Sequence, residues 1–258
     1  MIVYPVEPIA IREHFDAAVS DITNVVNFFG KYPEERAHLN HIMPQSDSAR
    51  WENPLAPDFN ANCYGFACNI GLDIQPGVRG IVYNTGHAPK WREIYQNALD
   101  YRTKMRPDPE SFGAYCNSVI AGLLCDEAAF GLAHFDAGCS AALLFFRKAG
   151  NDDERDSDMA RKHYFLYSDY HLVDIRVYPK SGELLFIDKA RPLASTSSGC
   201  LTLHEPSMGE ETRPHYLAQE MARLGYSRYA GVVTLPHPHP EERELIIQRL
   251  ALDTPNIA

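Results

Sequence analysis

A cysteine at position 63 stands in the run Asn62-Cys63-Tyr64-Gly65-Phe66-Ala67-Cys68, just after a polar, turn-forming stretch containing Pro57, Asp58 and Asn60. Asn62 is a good helix N-cap, and Gly71 sits where a short helix would stop. Cys63 then falls in the first turn of a short buried helix. Unsatisfied backbone N–H groups and the positive end of the helix dipole favour a thiolate there, which is the form that attacks carbonyl carbon. The competing reading is a small core residue, because free cysteine is among the most buried residue types.

A nucleophile needs a base, and a base needs a group to fix its tautomer. His171 opens a stretch of alternating pattern in which residues 171, 173, 175 and 177 give one apolar face, against polar Asp174 and Arg176 on the other. A turn at 179–182 (Pro-Lys-Ser-Gly) returns the chain through a second strand over 183–188. With a loop of two or four residues, position 178 pairs with 183 and 173 with 188. His171 and Asp188 are then diagonal neighbours on one face, about 7–8 Å apart at their backbones. A three-residue loop puts them on opposite faces. In chain order the set is Cys63 as nucleophile, His171 as base and Asp188 as orienter. His163 is the rival base, beside a charged insert, and Asn62 and Asn60 are candidate side-chain donors to an oxyanion.

Other chemistry-bearing residues are weaker. Gly138-Cys139-Ser140-Ala141-Ala142 carries a serine between small residues, but it lacks the second glycine of a nucleophile elbow and leads into a strand. His237 and His239 lie in a Pro-His-Pro-His-Pro run with no carboxylate or cysteine at ligand spacing, so a solvated loop before a helix is expected and no metal. No glycine-rich phosphate loop or dinucleotide fingerprint occurs, and no cofactor is expected.

The elements that must position these residues follow from periodicity. Apolar residues at helical spacing predict a helix over 11–29, stopped by Gly30. Residues 31–57 are polar and proline-punctuated and read as an irregular wrap. Helices are expected over 91–101, 111–130, 214–224 (ending at Gly225) and 241–252, with strands over 140–146, 171–178, 183–188 and 229–235. Residues 148–162 read as a solvated charged insert and 194–213 as a Ser/Thr/Gly-rich loop. The expected organisation is an N-terminal extension over 1–57 and one domain over 58–258 carrying those two inserts.

Composition bounds the function. A chain of 258 residues with 45% hydrophobic and 22% charged residues can bury a proper core. A formal charge of −10 argues against a nucleic-acid backbone or an anionic membrane surface as partner. The six cysteines form no CxxC pair, so reduced thiols in a cytoplasm-like compartment are the default. Residues 1–8 lack the basic and apolar runs of a signal peptide, and no apolar stretch is long enough to span a bilayer. Export without a cleaved signal remains compatible with this.

The set Asn62-Cys63-Tyr64-Gly65-Phe66-Ala67, then Asp169-Tyr170-His171 opening a strand, then the return to Asp188-Lys189, resembles the papain-like cysteine hydrolases. The resemblance is to their compact NlpC-like branch of bacterial peptidases and amidases, including bacterial proteins with an NCYxxA motif and a later DYH, and it covers roughly residues 58–235. It implies an α+β fold with the nucleophile helix packed on a small antiparallel sheet. It implies a thiol hydrolase that cleaves an amide through a Cys63 thioester: a peptide bond, a peptidoglycan peptide or a glutamine side chain. A bacterial toxin or effector fits that class. Asp188 departs from the His, Asn or Gln usual at the third position. The alternative from another class is a non-catalytic binding or scaffold protein on the same fold, and a third is an immunity or chaperone-like partner that works through its acidic surface.

Overall fold

The computed structural model describes residues 15–39, 61–70, 74–77, 90–125, 127–133, 135–147, 170–177, 182, 184–189, 201–204 and 213–253. It is a mixed α+β arrangement of helices on an antiparallel sheet. In chain order the elements are α1 (Phe15–Lys31), α2 (Pro33–Leu39), α3 (Cys63–Ala67), α4 (Lys90–Met105), α5 (Pro109–Cys125), β1 (Ala129–Phe130), β2 (Cys139–Phe146), β3 (Tyr170–Val177), β4 (Leu184–Lys189), β5 (Leu201–His204), α6 (Arg213–Arg223), β6 (Arg228–Pro236) and α7 (Pro240–Asp253). Among the described residues six strands form one sheet in the order β1-β6-β2-β3-β4-β5, with every neighbouring pair antiparallel.

β2 and β3 lie at the centre of that order, and every residue of both is buried. A strand covered on both sides needs apolar residues at odd and even positions alike, which is why 139–146 reads as a continuous apolar run. One face of the sheet packs Ala142, Leu144, Phe146, Tyr170, Leu172, Val233 and Leu235 against α3, α5 and Ile246 of α7. The other packs Ala141, Leu143, Phe145, Val173, Ile175 and Val232 against α1, α2 and α6. Two helical layers therefore sandwich the sheet.

α1 earns its place by spacing. Ala18, Ile22, Val25 and Phe29 recur every three or four residues and are its buried stripe. Phe15 meets the His215 ring of α6 edge-on at 4.7 Å between centroids. The expected N-terminal helix is present, with Gly30 inside its last turn rather than beyond it. Its stripe joins the core cluster of the second face.

Three local expectations fail, one of them the helix expected over 111–130, which ends at Cys125 and is followed by strand β1 at Ala129–Phe130. The stretch 33–39 was expected to be irregular, and it is a short helix whose first residue is Pro33. At that position the missing N–H costs nothing and the fixed φ suits a helix start. The loop expected over 194–213 contains β5, which pairs with β4 through Phe186↔His204 and Ile187↔Leu203. The β3–β4 register is the expected one, Val173↔Asp188 through Val177↔Leu184. Gly182, at φ 72°, takes the left-handed conformation between these strands that a side chain would disfavour. α6 closes as expected before Gly225, at φ 90°.

Candidate functional site

α3 is the element that carries the candidate nucleophile, and all five of its residues are buried. Asn62 is a working N-cap: its Oδ1 accepts from the Gly65 N–H at 2.8 Å. Its Nδ2 donates to the Ile74 carbonyl at 2.6 Å. Both ends of the Asn62 amide are thus engaged in holding α3 and the 74–77 segment together, which opposes its use as an oxyanion donor. The helix stops earlier than Gly71 by a different device. Asn69 adopts φ 57°, the Asn69 N–H reaches the Phe66 carbonyl at 3.0 Å, and the Ile70 N–H reaches the Gly65 carbonyl at 2.9 Å. This is a Schellman closure with asparagine in the usual glycine position. From α7, Arg243 Nε donates to the Ile70 carbonyl at 3.3 Å.

Cys63 opens α3 as a free thiol, about 9% exposed, in the cluster that contains Tyr64, Cys68, Leu144, Phe146, Tyr170 and Leu172. Its helix therefore lies on the sheet face reached by even-numbered residues of β2 and β3. Tyr64 passes its hydroxyl to the buried Glu127 carboxylate, a polar tie between α3 and the segment after α5.

His171 is on the other face. It pairs with Phe145 across the ladder and alternates with Tyr170 and Leu172, so the pleat directs it to the side of Phe145, Val173 and Ile175. It is 4% exposed and its ring lies 5.1 Å from that of Tyr226, just beyond α6. The sheet stands between the imidazole and the Cys63 thiol. The structure does not bring the expected nucleophile and base together. The physical reason is that β3 is buried on both faces, and the two residues belong to different helical layers. Position 188 pairs with Val173 as expected, while the Asp188 side chain, Asn60 and His163 lie outside the described residues.

What stands beneath α3 instead is an ion pair. Asp174 and Arg176, expected on a polar face, are each about 1% exposed. Arg176 Nε donates to Asp174 Oδ2 at 2.5 Å, and Nη2 donates to the Phe66 carbonyl at 3.2 Å. The guanidinium carbon lies 4.3 Å from the Phe66 ring centroid, a cation–π contact. Burial pushes the Asp174 carboxyl up to about 6, outweighing the Arg176 charge and the Ile175 N–H, which both act to lower it. The i,i+2 spacing of these two residues on a strand was a readable sign that they share a face. Their being polar concealed that the face is buried.

A second polar contact lies at the ends of β2 and β6. Ser140 Oγ and His237 Nε2 are 2.9 Å apart, and the His237 N–H donates to the Gly138 carbonyl at 2.7 Å. Asp136 accepts from the Gly138 N–H at 2.8 Å, which with the Cys139 thiol and the nearby His38 and His237 holds its carboxyl below the usual range. Ser140 is fully buried, so this contact pins the 237–239 segment to β2 and presents no reachable hydroxyl. His237 is thus half-buried and bonded, whereas His239 is exposed as expected. Among the described residues no group of three or more His, Cys, Asp or Glu is placed to hold a metal ion. Among them, too, no helix is long and apolar enough to cross a membrane.

The chain matches no protein-family model, no curated protein and no solved structure.

Proposed function

We propose that this chain is a non-catalytic binding or scaffold protein in which Cys63 and His171 are core residues of opposite layers. The observation that carries this reading is the parity of β3, which sets Tyr170 and Leu172 against α3 and His171 against Tyr226. A thiol can use an imidazole as base only when the two come within hydrogen-bond reach. The net charge of −10 selects a partner that is neutral or basic, and disfavours nucleic acid and anionic membrane.

A thiol hydrolase is the second reading, and one observation favours it. Cys63 is the first residue of a capped helix packed on an antiparallel sheet, the arrangement that the papain-like resemblance implies. In that reading Cys63 attacks an amide carbonyl of a peptide or protein, and the proton goes to a base other than His171. The second helical layer over the sheet departs from the compact papain-like plan.

Site-resolved alkylation separates the two. Under native conditions near neutral pH, iodoacetamide should label Cys63 no faster than the buried Cys68 and Cys116. Labelling of Cys63 faster than both by a hundredfold or more would overturn the binding-protein reading and direct the search to amide substrates.

A further inference from the structure

β2, β3 and β6 meet at one end of the sheet. There Phe146 pairs with Tyr170 of β3 and Arg228 of β6, and Phe145 with His171 and Tyr229. Arg147 follows β2 at this end. Two positions on from Phe145, it falls on the α6 side of the sheet, where its guanidinium carbon lies 5.1 Å from the centre of the Tyr226 ring. That ring is braced from within. The buried His171 imidazole lies 5.1 Å from it at a tilt of 30°, and the Tyr226 N–H donates to the Met221 carbonyl at 2.8 Å. A cation is thus held over an aromatic face whose own position is fixed by a core residue.

What the Arg147 guanidinium lacks is an acceptor. Its Nε is shielded from solvent and has no hydrogen-bond partner among the described residues, and none of their carboxylates forms an ion pair with it. A cation–π contact engages the face of a guanidinium and leaves its in-plane N–H groups unused. A shielded donor left unpaired is costly, and native proteins pair nearly all of them.

The neighbouring elements hold no spare carboxylate to fill the gap. β2 and β6 contain none, and Asp174 of β3 is taken by Arg176. On α6, Glu220 accepts from Arg223 Nε and Nη2 at 2.9 and 2.8 Å. Arg228 sets a second guanidinium-bearing residue at the same end of the sheet, on the other face by strand parity. Among the described residues this end is therefore locally positive, although the whole chain carries a formal charge of −10. Repulsion from the remainder reaches it weakly, because exposed charges more than about 8 Å away are largely screened at physiological salt.

We propose that Arg147, held on Tyr226, is a binding site for an oxyanion, the phosphate or carboxylate group of a small soluble ligand. The planar fork of guanidinium N–H groups matches two oxygens of such a group and pairs the donors that the protein leaves unpaired. His171 enters as the support of the ring on which Arg147 rests. The inference is independent of any role for Cys63, whose helix packs on the opposite face of the sheet.

NMR titration of the full chain with sodium phosphate, and separately with sodium acetate, tests this at an ionic strength held constant with sodium chloride. The Arg147 Nε–H resonance and the Tyr226 amide should shift saturably. In Arg147→Met the Tyr226 response should be lost, or its half-saturation raised by about tenfold or more. Arg147→Lys, which keeps the charge without the fork, should fall between the two. Arg223→Met removes an exposed guanidinium from the same helical layer and should bind as wild type does. Earlier saturation by phosphate assigns a phosphate group and earlier saturation by acetate a carboxylate; either supports the site. Shifts that stay linear with both anions, or a Tyr226 response in Arg147→Met equal to that of wild type, would overturn the proposal. Should Arg147→Met fail to fold, the Arg147 Nε–H resonance of the wild-type protein decides. A saturable shift supports the site, and an unmoved resonance overturns it.

Discussion

Replacing His171 by alanine distinguishes a catalytic base from a core residue. As a base facing Cys63, His171 would contribute to chemistry, and its removal would abolish activity at little cost to stability. The observed position predicts the reverse. The imidazole is 4% exposed, its ring tilted 30° to that of Tyr226 at 5.1 Å between centroids, and it pairs across the ladder with Phe145. Truncation forfeits an aromatic contact of about 0.5–1.5 kcal/mol and leaves a cavity in a layer that closes only partly. Large-to-small core changes cost about 2–5 kcal/mol, and a half-polar ring belongs near the lower end, about 2–3 kcal/mol. At an m-value of about 3 kcal/mol/M for a chain of this size, the urea midpoint should fall by roughly 0.7–1 M. In a thermal melt the midpoint should drop by about 4–12 °C, taking about 2–4 °C per kcal/mol. Cys63 alkylation, measured well below the transition, should be unchanged. The reasoning is refuted if His171→Ala melts within 1 °C of wild type while the Cys63 alkylation rate changes tenfold or more.

Further predictions concern the polar groups that seat α3. Arg176→Met should cost about 3–5 kcal/mol at pH 7 in urea unfolding, because it strips the buried Asp174 carboxyl of its counter-charge and forces it to take up a proton; Asp174→Leu combined with Arg176→Met should recover most of that loss. Equal losses in the single and double variants would show that the two residues are not coupled. Wild-type stability measured against that of Asp174→Asn should fall as pH rises from about 4 to about 6, by on the order of 3 kcal/mol; a difference that grows with pH would contradict the raised carboxyl. Asn62→Ala removes both the cap of α3 and the donor to Ile74, for a loss of about 2 kcal/mol, and a shift under 0.5 kcal/mol in denaturant titration would contradict the cap. Tyr64→Phe takes the phenol donor from Glu127 at a cost of about 1.5–3 kcal/mol, read as a thermal shift of several degrees, and an unshifted melt would argue against the tie.

The sequence revealed the elements better than their arrangement. Asn62 announced the start of α3 because capping is a local matter, settled by residues three apart. The pairing of Val173 with Asp188 was readable because strand parity and turn length fix a hairpin register. The layer against which α3 docks was not readable. A strand with apolar residues on both faces carries no mark saying which face a distant helix will cover, and that choice rests on contacts between residues about a hundred positions apart. The stripe on α1 was visible, but its target, the layer holding His171, was not. That Asp174 and Arg176 are buried was not legible, because two polar residues at alternate strand positions mark a shared face without showing that each supplies the partner that lets the other be buried. Glu127 and Tyr64 meet across 63 positions with no local signal at all.

The placement of β2 also bears on how the chain is made. This all-buried strand ends at residue 146, one of its neighbours begins at 170 and the other at 228. During synthesis the first hairpin partner emerges only a few tens of residues later, and the second more than eighty residues after β2. For that interval the strand has one side of its backbone unpaired, an open edge that favours pairing with another nascent chain. Completion of the central sheet therefore waits for β6 to emerge. A chain halted before residue 228 should partition into aggregates or onto chaperones to a greater extent than the full chain.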